Sequence, residues 1–294
     1  MFGMEAAIYC PSGTMTNQIA IKAHTRPLDE VICDKTAHIY KYEVGGYAYH
    51  SGVSIQLLDG NNGVIPVDQV DAAIHEDFDW LPNSRLLCIE NTANKGGGTI
   101  YSMDEMKALS ELCKERGLAY HLDGARIFNA IVELKVDPKE IGALFDSISI
   151  CFSKGLGAPV GSALLGSKKV IKPCRKIRKV MGGGMRQSGL LAAACIYALD
   201  HNVDRLTEDH ANAQILAECL QALDYVTEIK PVRSNIIIFR LKDSLKGSVF
   251  IEKLRELDML AIEFGPQWIR FVTHMEITAA DITRCIKKLE SIHS

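Results

Sequence analysis

Short apolar runs alternate with amphipathic stretches along most of the chain. Runs apolar on both faces predict buried strands at 31–34, 54–59, 84–90, 118–122, 148–152 and 162–165. Helical spacing between them predicts helices at 15–23, 67–74, 102–116, 128–134 and 138–145. The helix from 102 carries a capping-box signature, Ser102 with Glu105, and Gly117 closes it. Strands that alternate with helices predict a mostly parallel sheet covered on both faces. One stretch breaks the alternation. From His38 through Tyr40, Tyr42 and Glu43 to Gly45 and Gly46 it is polar, aromatic-rich and flexed by glycine, and reads as a loop.

The pattern changes in the last third. A basic helix at 168–179 and helices at 190–199 and 203–223 come first, the last long enough to bridge two domains. Then a strand (235–240), a helix (248–258), two strands (259–263 and 268–273) and a final helix (279–291) form a compact α+β set. The expected fold class is α/β: a large domain over 1–205 with a mostly parallel sheet, and a smaller C-terminal α+β domain over 206–294. A length of 294 residues suits one large and one small domain.

Composition narrows the partners. A net charge of −3 with no like-charge block argues against nucleic acid and anionic membrane surfaces. No apolar run reaches the length of a membrane span, and the opening residues Met1 to Glu5 lack the basic-then-apolar order of a signal peptide. Nine cysteines without a Cys-x-x-Cys pair read as reduced thiols in a cytoplasmic protein. No His-x-x-x-His pair lies on a helix face, so no metal is expected.

Candidate chemistry gathers at strand ends. Lys154 follows an apolar strand and sits among small residues, Ser153 to Gly161, where a flat carbonyl ligand can approach an amine. Ser12, Gly13 and Thr14 stand where a helix begins, as an ordinary cap or as an anion site. Glu90, Asn91 and Thr92 lie past the carboxyl end of a strand, where open α/β sheets bind ligands. Asp123 lies at another strand end, either capping the next helix or accepting from a protonated ring nitrogen. His38 can stack on an aromatic ring or pair with a carboxylate. Arg186 follows a glycine triplet, suited to a phosphate or a subunit boundary. Arg270 lies in a strand and calls for an anionic partner, which a substrate carboxylate supplies. Together, lysine, strand-end aspartate, helix-start anion site and small-domain arginine fit pyridoxal phosphate, with Asp123 keeping the ring nitrogen protonated.

The order of these signals matches the fold-type-I class of pyridoxal enzymes. Within it the chain resembles the low-specificity L-threonine aldolases. The motifs are Pro11 to Met15, His38 to Gly46, Glu90-Asn91-Thr92, His121 to Arg126, Ser153 to Gly161, Lys179 to Gln187 and Arg270 to His274. The resemblance implies reversible cleavage of L-threonine or L-allo-threonine to glycine and acetaldehyde. It assigns Lys154, His38 and Asp123 to catalysis, with His38 stacked on the cofactor ring. Ser12, Gly13, Thr14, Glu90, Arg126, Ser153 and Arg186 join the cofactor set, and Arg126, Arg270 and Tyr42 the substrate set. It also implies a homotetramer with active sites at subunit interfaces, Lys179 and Arg186 being shared with a neighbour.

Two features depart from the family pattern. Many members carry a histidine after Glu-Asn-Thr, where this chain has Ala93, so weak discrimination between the threonine epimers is expected. The family's N-terminal arm, with a serine for the substrate carboxylate, has no counterpart here. The rival expectations are another pyridoxal reaction, β-elimination or transamination of an amino acid, and an inactive truncated relative.

Overall fold

The computed structural model describes residues 1–292. Two compact units emerge, Met1–Gly96 with Ile100–Val203, and Gly97–Thr99 with Asp204 onward. The first unit begins with β1 (Ala6–Cys10), α1 (Gly13–His24), β2 (Asp29–Asp34), α2 (His38–Lys41), α3 (Gly46–Ser51), β3 (Ser54–Leu58) and α4 (Val67–Ala73). It continues through β4 (Asn83–Glu90), α5 (Met103–Arg116), β5 (Ala119–Gly124), α6 (Ile127–Leu134) and α7 (Pro138–Gly142). It closes with β6 (Ser147–Cys151), β7 (Ser162–Gly166), α8 (Lys168–Val180) and α9 (Gly189–His201). Its seven strands lie in the order β1-β7-β6-β5-β4-β2-β3.

Every pairing from β3 to β6 is parallel, and β7 runs antiparallel to both β1 and β6. The sheet is therefore parallel but for one reversed strand. The central strands are buried throughout their apolar runs, Leu86–Ile89 on β4 and Ile148–Ile150 on β6 among them, as strands covered on both faces require. The register aligns Glu90 with Asp123, and Asp123 with Ser149. Strand ends that carry polar groups thus share one edge of the sheet.

Local chemistry fixes the helices beside that edge. Ser12 caps α1 by accepting from the Met15 N–H at 3.2 Å. The capping box of α5 is present in both directions, and Gly117 closes the helix in the left-handed region. The glycine-flexed stretch from His38 holds α2, then Gly45 at φ 68°, where α3 begins; Gly52 at φ 68° ends α3. Short helices of four and six residues leave too little periodicity to read from sequence. The helix expected at 138–145 stops at Gly142, where an added Cβ would lie 1.9 Å from the Phe2 carbonyl oxygen.

Gly124 is a similar close approach. A Cβ there would stand 2.8 Å from the Ser149 carbonyl oxygen on β6. Gly124→Ala must push β5 away from β6 beside Asp123. A loss of about 1–3 kcal/mol is expected. An unchanged urea midpoint would mean that the two strands tolerate the added methyl.

The second unit comprises α10 (Leu206–Gln221), β8 (Val226–Ile229), β9 (Ile236–Leu241), α11 (Gly247–Glu256), β10 (Ile262–Gly265), β11 (Trp268–Val272) and α12 (Ala279–Glu290). An antiparallel sheet in the order β10-β11-β9-β8 packs a core of Phe239, Phe250, Ile269, Leu254 and Leu289. Helix α10, expected to bridge two domains, lies wholly in this unit. Strand β10 starts later than expected. Asp258 takes φ 54° and the Met259 N–H bonds the Leu254 carbonyl, which spends 259–261 on closing α11.

Candidate active site

The polar groups at the ends of β4 and β5 converge with α1 and α2. Asp123 is buried, as are Glu43 and Glu90. Asp123 accepts from the Asn17 side-chain amide at 2.8 Å and from the Ala125 N–H at 3.1 Å. Glu90 accepts from the His38 N–H at 2.9 Å and the Asn94 N–H at 3.0 Å. His38 Nδ1 lies 3.0 Å from Glu43 Oε1, and its ring stands 5.4 Å from that of Tyr42. Ligand atoms of His38, Glu43 and Asp123 all fall within 4.8 Å of one another.

The electrostatics follow from burial. Glu90 is pushed up to about 7, by burial first and then by the nearby Asp123 charge. His38 is raised, chiefly by its hydrogen bond to Glu43, with burial opposing. Arg126, whose charge faces Glu90 and Asp123, is held below the usual arginine range by burial. Glu43, Glu90 and Asp123 thus lie buried beside the His38 and Arg126 side chains.

His38 gives a pH-dependent expectation. A histidine raised by its partner contributes stability below the unfolded value of about 6.5, lost as pH rises through the raised folded value. Glu43→Gln should therefore cost more stability at about pH 6 than at about pH 9 and bring the His38 midpoint down. Equal losses at both pH values would show that the pair owes nothing to charge.

The anion-site candidates stand on the same helix. Gly13 and Thr14 form the first turn of α1, whose later residue Asn17 reaches Asp123. Ser162 at the start of β7 is buried, and its hydroxyl has no hydrogen-bond partner. That hydroxyl lies 3.7 Å from where a Gly13 Cβ would be. Lys154 and Ser153 occupy the exposed turn after β6, the strand paired with β5. Arg186 is exposed between α8 and α9. Arg270 lies in β11 of the second unit, its guanidinium 4.7 Å from the centre of the Phe264 ring.

His38, Glu90, Asp123 and Arg126 are brought together, and Tyr42 stands beside them, half exposed. Both alternatives for His38 are realised, a carboxylate partner and a neighbouring ring. Sequence reasoning missed Asn17, Gln18 and the part played by His121. Asn17 Nδ2 donates to Glu43 as well as Asp123, and Gln18 donates to the other Glu43 oxygen. The signal was present as three consecutive polar residues, Thr16 to Gln18, on a helix whose next turn is apolar.

The sequence model of the beta-eliminating lyases matches residues 1–244. The low specificity L-threonine aldolase of Escherichia coli K12 is 40% identical over 277 residues, covering 94% of this chain and 81% of that protein. The chain belongs to the low-specificity L-threonine aldolase family. Low-specificity L-threonine aldolase 1 of Arabidopsis thaliana is 37% identical over 289 residues, covering 96% of this chain and 81% of that protein. Among solved structures, a Leishmania major threonine aldolase superposes with a TM-score of 0.84 at 25% identity, covering 97% of this chain and 83% of that one. Members of this family are pyridoxal-phosphate-dependent lyases.

The residues present fit that cofactor. Asp123, buried and fixed by the Asn17 amide and the Ala125 N–H, is an acceptor that would suit a protonated pyridine nitrogen. The unpartnered Ser162 hydroxyl beside the first turn of α1 suits an anionic group there.

Proposed function

We propose that this threonine-aldolase family member cleaves L-threonine and L-allo-threonine to glycine and acetaldehyde, with pyridoxal phosphate held at Lys154. The observation that carries the reading is the cluster of Asp123, Glu43, Glu90, His38 and Arg126 at one edge of the parallel sheet. Bound pyridoxal phosphate supplies an electron sink that weakens a bond at the substrate α-carbon.

This chain's residues do the rest. Lys154 would supply the amine that holds the cofactor. Asp123, fixed by Asn17 and the Ala125 N–H, accepts from the ring nitrogen and keeps its proton in place. His38, held by Glu43, would stack on the ring. The first turn of α1, from Ser12 to Thr14, offers N–H groups and hydroxyls to the phosphate, with Arg186 as an added cation. Arg126 and Arg270 bind the substrate carboxylate. Fixing that group decides which α-carbon bond stands where it can break, and an aldol cleavage needs the bond to the β-carbon.

The oligomer and compartment belong to the same reading. Helix α9 is apolar nearly all round, yet Leu190 is 81% exposed, Ile196 58% and Tyr197 61%. Such a face suits burial against another copy of the chain, and a homotetramer with shared sites follows the family. All nine cysteines are free thiols, seven of them buried, which suits a reducing cytoplasm.

The test is acetaldehyde release from both threonine epimers by protein supplied with pyridoxal phosphate. With Ala93 in place of the family's histidine, the two epimers are expected to differ by less than about a hundredfold in kcat/KM. Pyruvate from serine, without acetaldehyde from either epimer, would replace the aldolase reading with an eliminating one.

A further inference from the structure

Asn17 is buried in the second turn of α1, and both ends of its amide are committed. Its Nδ2 donates to Glu43 Oε1 at 2.9 Å and to Asp123 Oδ2 at 2.8 Å. With both N–H bonds spent on carboxylates, Oδ1 is left facing His121 Nε2 at 3.2 Å and must accept. Burial pushes His121 down to about 3, so it is neutral; its Nδ1 lies 2.8 Å from the Ser147 hydroxyl and 3.1 Å from the Ser147 carbonyl. The Ser147 hydroxyl lies in turn 2.8 Å from His24 Nε2. The two carboxylates on Nδ2 set which way round the Asn17 amide lies.

We propose that Asn17 is the positioning residue of this site, its one amide holding Asp123 and Glu43 as two separate carboxylates. Asp123 is thereby reserved for the ring nitrogen and Glu43 for His38. Two buried carboxylates this close otherwise favour sharing one proton. A shared proton would serve neither neighbour, because the ring nitrogen and the His38 imidazole each need an acceptor of full charge. An amide with two N–H groups satisfies both carboxylates at once; a hydroxyl has one donor and serves only one. Other groups facing the pair are Cys88 and Glu90 from β4, His121 from β5, His38 from α2 and Arg126 at the start of α6. Gln18 Nε2 also donates to Glu43 and the Ala125 N–H to Asp123, but each serves one carboxylate; Asn17 is the residue shown donating to both.

The inference rests on the cofactor reading for Asp123, and its test keeps the two apart. His38 is titrated by NMR in the full-length, cofactor-free chain as wild type, Asn17→Ala and Asn17→Ser. Loss of the amide lets the carboxylates share a proton, so the His38 midpoint should fall by about one unit in the alanine variant and by less in the serine variant. The dissociation constant for pyridoxal phosphate should rise about tenfold or more in Asn17→Ala. A packing role alone would lower thermal stability without moving the histidine. An unchanged His38 midpoint in the folded variants would overturn the proposal, and if the alanine variant does not fold the serine variant decides. Failure of the wild type to bind pyridoxal phosphate would instead overturn the functional reading and Asp123's share, leaving the titration to judge Glu43 and His38.

Discussion

Lys154→Ala is expected to lose acetaldehyde release from L-allo-threonine by about four orders of magnitude or more. Lys154 follows β6, the strand paired with β5, and Lys35 after β2 and Lys95 after β4 are the controls at the same edge of the sheet. Lys154 is exposed in the turn after β6, so its removal should leave the melting temperature of the cofactor-free chain within about two degrees of wild type. The variant should still bind pyridoxal phosphate weakly, because Asp123 and the first turn of α1 remain. The visible band that marks cofactor held by an amine should be lost. Acetaldehyde release within tenfold of wild type would remove Lys154 from the reaction, since a factor of about ten is only about 1.4 kcal/mol.

Asp123→Asn is expected to lower kcat by about 10²–10³, the scale for removing one partner of a buried, hydrogen-bonded charge pair. The substitution preserves shape, so it isolates charge. An asparagine can still accept from Asn17 or from the Ala125 N–H, but its own amide must then face the other donor. Cofactor affinity should fall together with kcat, while the α1 anion site is untouched. Titration of Glu90 offers an independent readout. Asp123 is the second cause of its elevation, after burial, so the Glu90 midpoint should drop from about 7 in the variant. A kcat equal to wild type would mean that the ring nitrogen is governed by some other group.

Strong local signals made much of the fold legible. Apolar runs such as Leu86 to Ile89 have no reading other than a buried strand, and Ser102 with Glu105 announces a helix start through bonds made within four residues. The reversed direction of β7 was not legible, because strand direction depends on where the chain returns and leaves no periodicity behind. Nor were α2 and α3, which are shorter than two full helical turns. At the site, Asp123, Glu90 and His38 could be picked out because each sits by a strand end or in a distinctive motif. Asn17 could not, since a polar residue inside a helix gains meaning only from the carboxylates that the fold brings to it. Its neighbours Glu43 and His121 are far from it in sequence and adjacent in space.

Position 93 shows how such spatial coupling constrains change. Ala93 is 3% exposed, and a Cβ built on Gly63 would come within 2.7 Å of its own Cβ. Gly63 sits at φ +88°, in the turn bridged between Asn61 and Val64. The methyl of Ala93 and the bare backbone of Gly63 are therefore two halves of one fit. A larger side chain at 93 has to be fitted against the 61–64 turn, so the two segments constrain each other. Libraries meant to alter epimer preference should vary both segments in the same clone.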